Sequence, residues 1–291
     1  MTKSFLLVTK TYKGDYALFE QLCASIDRLM PAVEHHILVD RSDLELFEPF
    51  ATSRRKIICC TNELSQYREL NIGQRRLWWR WPGTLVRGWI FQQLAKLHYV
   101  RNLNVDAAVL VDSDAVFIRG IEPEDLFEGD RIKLYACPGK SSGPAEQSPK
   151  WHDVASRSLG LRERGYTGSD YISQAVIWSP TIIRQMLDRI ETVCGTSWDR
   201  ALTKSFRFSE YVIYGVFCEH AEGEHRSLIS LTSKELCHCS WDYALSSKAE
   251  VQRFVTDIKS HHRAVLIQSN LGMSEAKRRE ILSEITASKL V

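Results

Sequence analysis

Nearly continuous apolar runs, separated by stretches of helical periodicity, constrain the first 140 residues more than any other feature. Phe5–Thr9 is an apolar strand, and Asp15–Leu29 follows with Leu18, Phe19, Leu22, Ile26 and Leu29 at helical spacing. His36–Asp40 (HILVD) reads as a second strand, Leu44–Phe50 as a short helix and Lys56–Cys60 (KIICC) as a third strand. A less regular stretch rich in Arg and Trp runs from Gln74 to Trp81. Gly88–Leu103 is a longer helix, and Ala107–Ile118 (AAVLVDSDAVFI) a fourth strand. Strands that lack polar alternation have both faces covered, so the expected class is α/β, a Rossmann-type, mostly parallel sheet flanked by helices. Such sheets receive ligands beyond the C-terminal ends of their strands.

The second half breaks this rhythm. Gly139–Lys150 (GKSSGPAEQSPK) reads as a mobile loop, Tyr171–Trp178 as a strand, Pro180–Val193 and Ser209–Cys218 as helices, and Met273–Ser288 as a polar terminal helix. No linker interrupts the chain, so the expectation is one continuous body: a half of alternating strands and helices over 1–138 and a loop-rich half over 139–291. The 38 basic residues against 36 acidic ones give a net charge of +2, which argues against a nucleic-acid binder. No run reaches the roughly 18 apolar residues of a membrane span. The eight scattered cysteines contain no Cys-x-x-Cys pair and suit reduced thiols, so a cytoplasmic protein is expected, with peripheral contact at the inner membrane face left open. Cys237-His238-Cys239 resembles half of a zinc site whose second half is missing.

Chemistry concentrates at Val109-Leu110-Val111-Asp112-Ser113-Asp114-Ala115-Val116-Phe117. Two carboxylates two apart on an extended chain point the same way and can share a divalent cation. The spacing alone is common; its place at the end of a strand built for burial is not, because buried carboxylates are costly unless compensated. A solvated turn between two short strands is the plainer alternative.

A buried strand ending in Asp-x-Asp about 110 residues into an α/β chain resembles a GT-A fold glycosyltransferase, in layout over roughly residues 4–220. The resemblance implies a nucleotide-sugar donor, UDP-linked before GDP- or CMP-linked, and Mn²⁺ or Mg²⁺ bridging its diphosphate to the motif. Asp114 is then the direct metal ligand, and Asp112, with Ser113 beside it, holds the ribose or a metal-bound water. The end of the first strand is where such enzymes receive base and ribose. Thr9, Lys10 and Tyr12 are candidates there, as is Asp40, although Asp15 could simply cap the first helix and Asp40 the next. Arg87, Gln93 and Lys96 become diphosphate or sugar candidates on the helix before the motif, with Gln92–Lys96 the competing pair to Gln93–Lys96.

The resemblance implies a base for the acceptor hydroxyl at a helix start, which favours Glu210, with Ser209 as its N-cap and Asp170 as the alternative. Many relatives add a C-terminal histidine to the metal; here His262 is a candidate, while Gln268 falls where that histidine is expected. Trp79 and Trp151, in polar segments, are candidate acceptor contacts. The activity that the resemblance implies is sugar transfer to a glycan or lipid-linked acceptor, with surface polysaccharide synthesis as its expected context. A sugar nucleotidyltransferase and a non-catalytic scaffold of similar fold are the other classes, the former disfavoured by the single Gly in Thr9–Asp15.

Overall fold

A computed structural model of the chain describes residues 3–73, 75–140, 148–162, 165–205, 207–268 and 272–289. The central sheet contains β1 (Phe5–Lys10), β2 (His35–Val39), β3 (Arg55–Cys59), β7 (Ala107–Val111) and β9 (Ala175–Trp178), in the order β9-β7-β1-β2-β3. β9 runs antiparallel to β7 and every other pairing is parallel, so the expected mostly parallel α/β sheet is the one that forms. Its central strands are buried throughout, which is why they read as apolar runs. Helices α1 (Tyr16–Leu29), α2 (Gly88–Arg101), α3 (Ser148–Ser158), α4 (Pro180–Cys194) and α5 (Glu210–His220) flank it. Because β2 and β3 extend the sheet to one side of β1 and β7 to the other, the strand order reverses at β1/β7, and a crevice opens beyond their C-terminal ends.

Four expectations need correction. The apolar run 107–118 is two strands, because Asp112 to Ala115 form a turn in which the Ala115 N–H donates to the Asp112 carbonyl at 3.1 Å. β8 (Ala115–Phe117) therefore leaves the central sheet and pairs antiparallel with β11 (Ala264–Leu266), which lies parallel to β10 (Cys237–Cys239). The Arg- and Trp-rich stretch is regular: β4 (Tyr67–Ile72), β5 (Arg75–Arg80) and β6 (Thr84–Arg87) form an antiparallel meander. Its period-2 pattern is masked in sequence by arginines on both faces; Gln74 lies outside the described residues. Of Tyr171–Trp178 only β9 joins the sheet. The terminal helix, α7 (Glu275–Lys289), follows α6 (Lys248–Thr256) and is polar on one side only, since Ile281, Leu282 and Ile285 pack into a second apolar cluster around Phe254.

Residues 141–147 of the expected loop lie outside the described residues, and Ser148 to Lys150 begin α3. All eight cysteines are free thiols, among them Cys237 and Cys239 within β10. Among the described residues no helix is long and apolar enough to cross a membrane.

Candidate functional site

The crevice at the strand-order reversal is a cavity of about 530 Å³. Its floor comes from the chain just beyond β1 (Thr11, Tyr12, Asp15) and just beyond β7 (Asp112, Ser113, Asp114). One wall is the inner face of the meander (Arg76, Trp78), and the opposite wall is the start of α5 (Ser209, Glu210, Tyr211). Trp89 and Trp151, with ring centroids 6.1 Å apart, also line it.

Charge is arranged in two clusters. Toward β2, Lys10 Nζ stands 3.1 Å from Asp40 Oδ1, while Arg76 Nη1 donates to Asp40 Oδ2 at 3.0 Å and to Asp43 Oδ2 at 2.7 Å. Neither Asp15 nor Asp40 caps a helix through its side chain. The Asp15 carboxylate instead accepts from Ser113 Oγ at 2.7 Å, which ties the β1 loop to the acidic turn. Toward α5, Lys96 Nζ donates to Tyr211 Oη at 2.8 Å and to Glu210 Oε1 at 3.2 Å, and lies 3.6 Å from Asp112 Oδ1. Burial works against a charge on Lys96, yet Tyr211, Glu210 and Asp112 hold its ammonium well above the usual range. Burial raises the Glu210 carboxyl, with Lys96 pulling the other way. Asp114 is pushed up to about 7, first by burial and then by Asp112 and Asp15 beside it, against a weaker pull from Arg278.

Local structure explains these placements. Ser209 accepts from the Val212 N–H at 3.4 Å, an N-cap that starts α5 with Glu210 in its first turn, where the helix dipole favours a carboxylate. Gln93 Oε1 takes the Glu210 N–H at 3.0 Å, so α2 braces the start of α5. Gln93 is thereby a strut outside the cavity lining, which α2 meets through Gly88, Trp89, Gln92 and Lys96. Arg278, carried by α7, donates its two terminal nitrogens to the Ile267 and Asp114 carbonyls and clamps the acidic turn to the end of β11.

Of the sequence candidates, Lys10, Tyr12, Asp40, Lys96, Asp112, Ser113, Asp114 and Glu210 come together at this cavity. Others lie elsewhere. Thr9 Oγ1 is 3.0 Å from His35 Nε2 in the core. Arg87 is the exposed N-cap of α2. Asp170 is buried and accepts from the Ile172 N–H at 3.1 Å. His262 stacks on His238 with centroids 5.0 Å apart and accepts from the Lys259 N–H. The Gln268 N–H donates to Ser240 Oγ at 2.9 Å. Sequence reasoning passed over Arg76, Trp78 and Tyr211. The alternation Arg76-Leu77-Trp78-Trp79-Arg80 was a signal for the first two, and the position after Glu210 the only one for the third.

Two observations bear on what the cavity takes. Thr11 Oγ1 and Trp78 Nε1 are buried lining atoms without a hydrogen-bond partner among the described residues, an arrangement that a polar ligand completes. The lining also carries five carboxylates (Asp15, Asp40, Asp112, Asp114, Glu210) against three cations (Lys10, Arg76, Lys96). Among the described residues no three His, Cys, Asp or Glu side chains form a metal cage. Magnesium-like ions, however, ordinarily use one or two protein carboxylates plus phosphate and water. The donor set fits a dication that arrives with a phosphate group.

A family model described as a family of unknown function (DUF6492) matches residues 4–288. No curated protein matches the chain. Among solved structures, the galactosyltransferase LgtC in complex with donor and acceptor sugar analogs matches at 10% identity and a TM-score of 0.46, covering 99% of this chain and 97% of that one. An active-site mutant of LgtC matches at 10% identity and a TM-score of 0.47, with 99% and 97% covered.

Proposed function

The chain belongs to DUF6492, a family of unknown function, and we propose that it is a glycosyltransferase that moves a sugar from a nucleotide-sugar donor to a glycan or lipid-linked acceptor. The observation that carries this reading is the pairing of Asp112 and Asp114 with Lys96 and Glu210 in one cavity at the strand-order reversal. Parallel sheets bind nucleotides at that point.

The donor's base and ribose meet Tyr12, Asp40, Arg76 and Trp78, with Thr11 Oγ1 and Trp78 Nε1 free to hydrogen-bond. Asp112 and Asp114 are the residues that would hold Mn²⁺ or Mg²⁺, which supplies Lewis-acid stabilisation of a leaving diphosphate. The high Asp114 carboxyl fits this role, because a nearby dication favours its ionised form. Glu210 is the base. Burial makes its carboxylate more basic than an exposed one, and the Lys96 ammonium keeps it ionised and oriented to take the acceptor hydroxyl proton. Lys96 also faces Asp112, so it spans the donor and acceptor sides. The Trp89–Trp151 pair offers aromatic faces to a sugar ring. A UDP-sugar is the first donor to try, and a surface-polysaccharide intermediate the acceptor class.

Thermal melts with UDP, GDP and CMP, each with and without Mn²⁺, test the reading. A ligand held at 100 times its Kd adds about 2.7 kcal/mol of apparent stability. The expected result is a rise with one nucleotide that needs the metal and vanishes in Asp114→Ala. Glu210→Gln is expected to keep that rise and to cut transfer by about a hundredfold or more. Indifference to every nucleotide would return the protein to the scaffold class.

A further inference from the structure

We propose that the outer face of the β4–β6 meander is a docking surface for an anionic lipid bilayer. The cross-strand register sets Arg68 beside Trp79 beside Leu85, and Leu70 beside Leu77 beside Arg87. The inner face is buried through Tyr67, Trp78 and Val86 and anchored by stacking of Trp78 on Phe91 at 4.5 Å. Among the described residues the outer face has no such cover: Ile72 is 60% exposed, Leu85 42%, Leu70 37%, and Trp81, packed edge-on to Trp79, 73%. Four large apolar side chains exposed together on one face of a sheet mark an interaction surface.

Charge selects the occupant. Of the five arginines between Tyr67 and Arg87, Arg76 and Arg80 face inward onto Asp40, Asp43 and Asp199, and Glu69, the one carboxylate of that stretch, also lies on the inner face, 3.5 Å from Arg76. Arg68 and Arg87 are exposed, and neither pairs with a carboxylate among the described residues. A second copy of this chain is a poor fit, because a two-fold contact through this face would set arginine against arginine. Nucleic acid would match the charge and leave the aliphatic side chains in water. An anionic bilayer satisfies both, with tryptophan and arginine at the headgroups and Leu70, Ile72 and Leu85 against the acyl boundary.

The opposite face of the same strands lines the cavity through Arg76 and Trp78, so docking would hold the cavity wall at the membrane. A lipid-linked acceptor would then be met at the surface that carries it. This last step rests on the glycosyl-transfer reading; the docking itself does not.

Co-sedimentation of the full chain with phosphatidylcholine vesicles, and with vesicles of equal parts phosphatidylcholine and phosphatidylglycerol, reads the docking without nucleotide. Each arginine at an anionic surface is worth about fivefold in partitioning. The expected result is binding to the mixed vesicles that falls with added salt and drops about tenfold or more in Arg68→Glu/Arg87→Glu and in Ile72→Ser/Trp81→Ser. Circular dichroism melts like those of the wild type show that either variant is folded, and one folded variant suffices. Equal partitioning on both vesicle types, variant binding like the wild type, or a wild-type dimer that Ile72→Ser/Trp81→Ser dissolves would each overturn the proposal. Loss of nucleotide response with vesicle binding intact would count against the enzyme reading alone.

Discussion

Asp114 is the residue whose ionisation most directly reports the site. Its carboxyl sits near 7 in the folded protein against 3.8 in an ordinary setting, because burial and two neighbouring carboxylates oppose its charge. A carboxyl raised in the folded state favours folding below its unfolded value, and that contribution is lost as pH rises through the folded one. Buried His35 and His262, pushed down to about 3, act oppositely as pH falls below their usual 6.5, so the absolute stability profile mixes signs. A comparison with Asp114→Asn removes the histidine contribution. Without metal, Asn is expected to raise Tm by about 4 °C or more near pH 8 and by less than half as much near pH 5. Parallel melts of the two proteins in EDTA check this; equal differences at both pH values would mean that Asp114 is already ionised freely. The sequence exposed Asp112 and Asp114 because acids are conspicuous beside Val109-Leu110-Val111. It could not show that Lys96, sixteen residues earlier, closes on Asp112 and Glu210.

At the scale of elements, a buried ion pair helps anchor the meander. Arg80 of β5 pairs with Asp199 of the short helix Trp198–Thr203, and Tyr67 Oη donates to the same carboxylate at 3.0 Å. Burial raises the cost of that charge and Arg80 outweighs it, so the Asp199 carboxyl lies below its usual range. Arg80→Met leaves a buried carboxylate without its cation and is expected to cost about 3 kcal/mol or more. Arg80→Met/Asp199→Leu is expected to recover much of it. Denaturant titrations of both variants decide, and equal losses would remove the ion pair as the anchor. Strands β1, β2 and β7 were legible because burial on both faces removes polar residues. The meander was not, because its two faces serve a charged cavity and a basic exterior, so arginine falls on each.

At the scale of the whole molecule, the C-terminal segment completes the site. β11 pairs with β8, just after the acidic turn, and Arg278 of α7 bridges that turn to the Ile267 carbonyl. Arg278→Ala is expected to weaken Mn²⁺-dependent nucleotide binding about tenfold or more, the scale on which losing a residue that orients metal ligands weakens a metal site. Arg278→Lys is expected to do no better, because an ammonium cannot fork to two carbonyls as a guanidinium does. Calorimetric titration of both variants tests this, and wild-type affinity in either sinks the bridging role. Arg278 shares the helix face of Ile281, Leu282 and Ile285, which separates it from the exposed Arg279, but only the packing of α7 against the turn shows what the buried guanidinium meets.

Composition and periodicity by themselves determined the α/β class, the parallel central strands and the acid pair at the end of β7, because each follows from burial along a short stretch of chain. Tertiary structure decided that the run 107–118 breaks into two sheets, that Arg76 and Trp78 face a cavity, and that Lys96 and Arg278 reach the acidic turn. Those outcomes depend on contacts between residues from 16 to 164 positions apart. Local preference carries no record of contacts made at that distance.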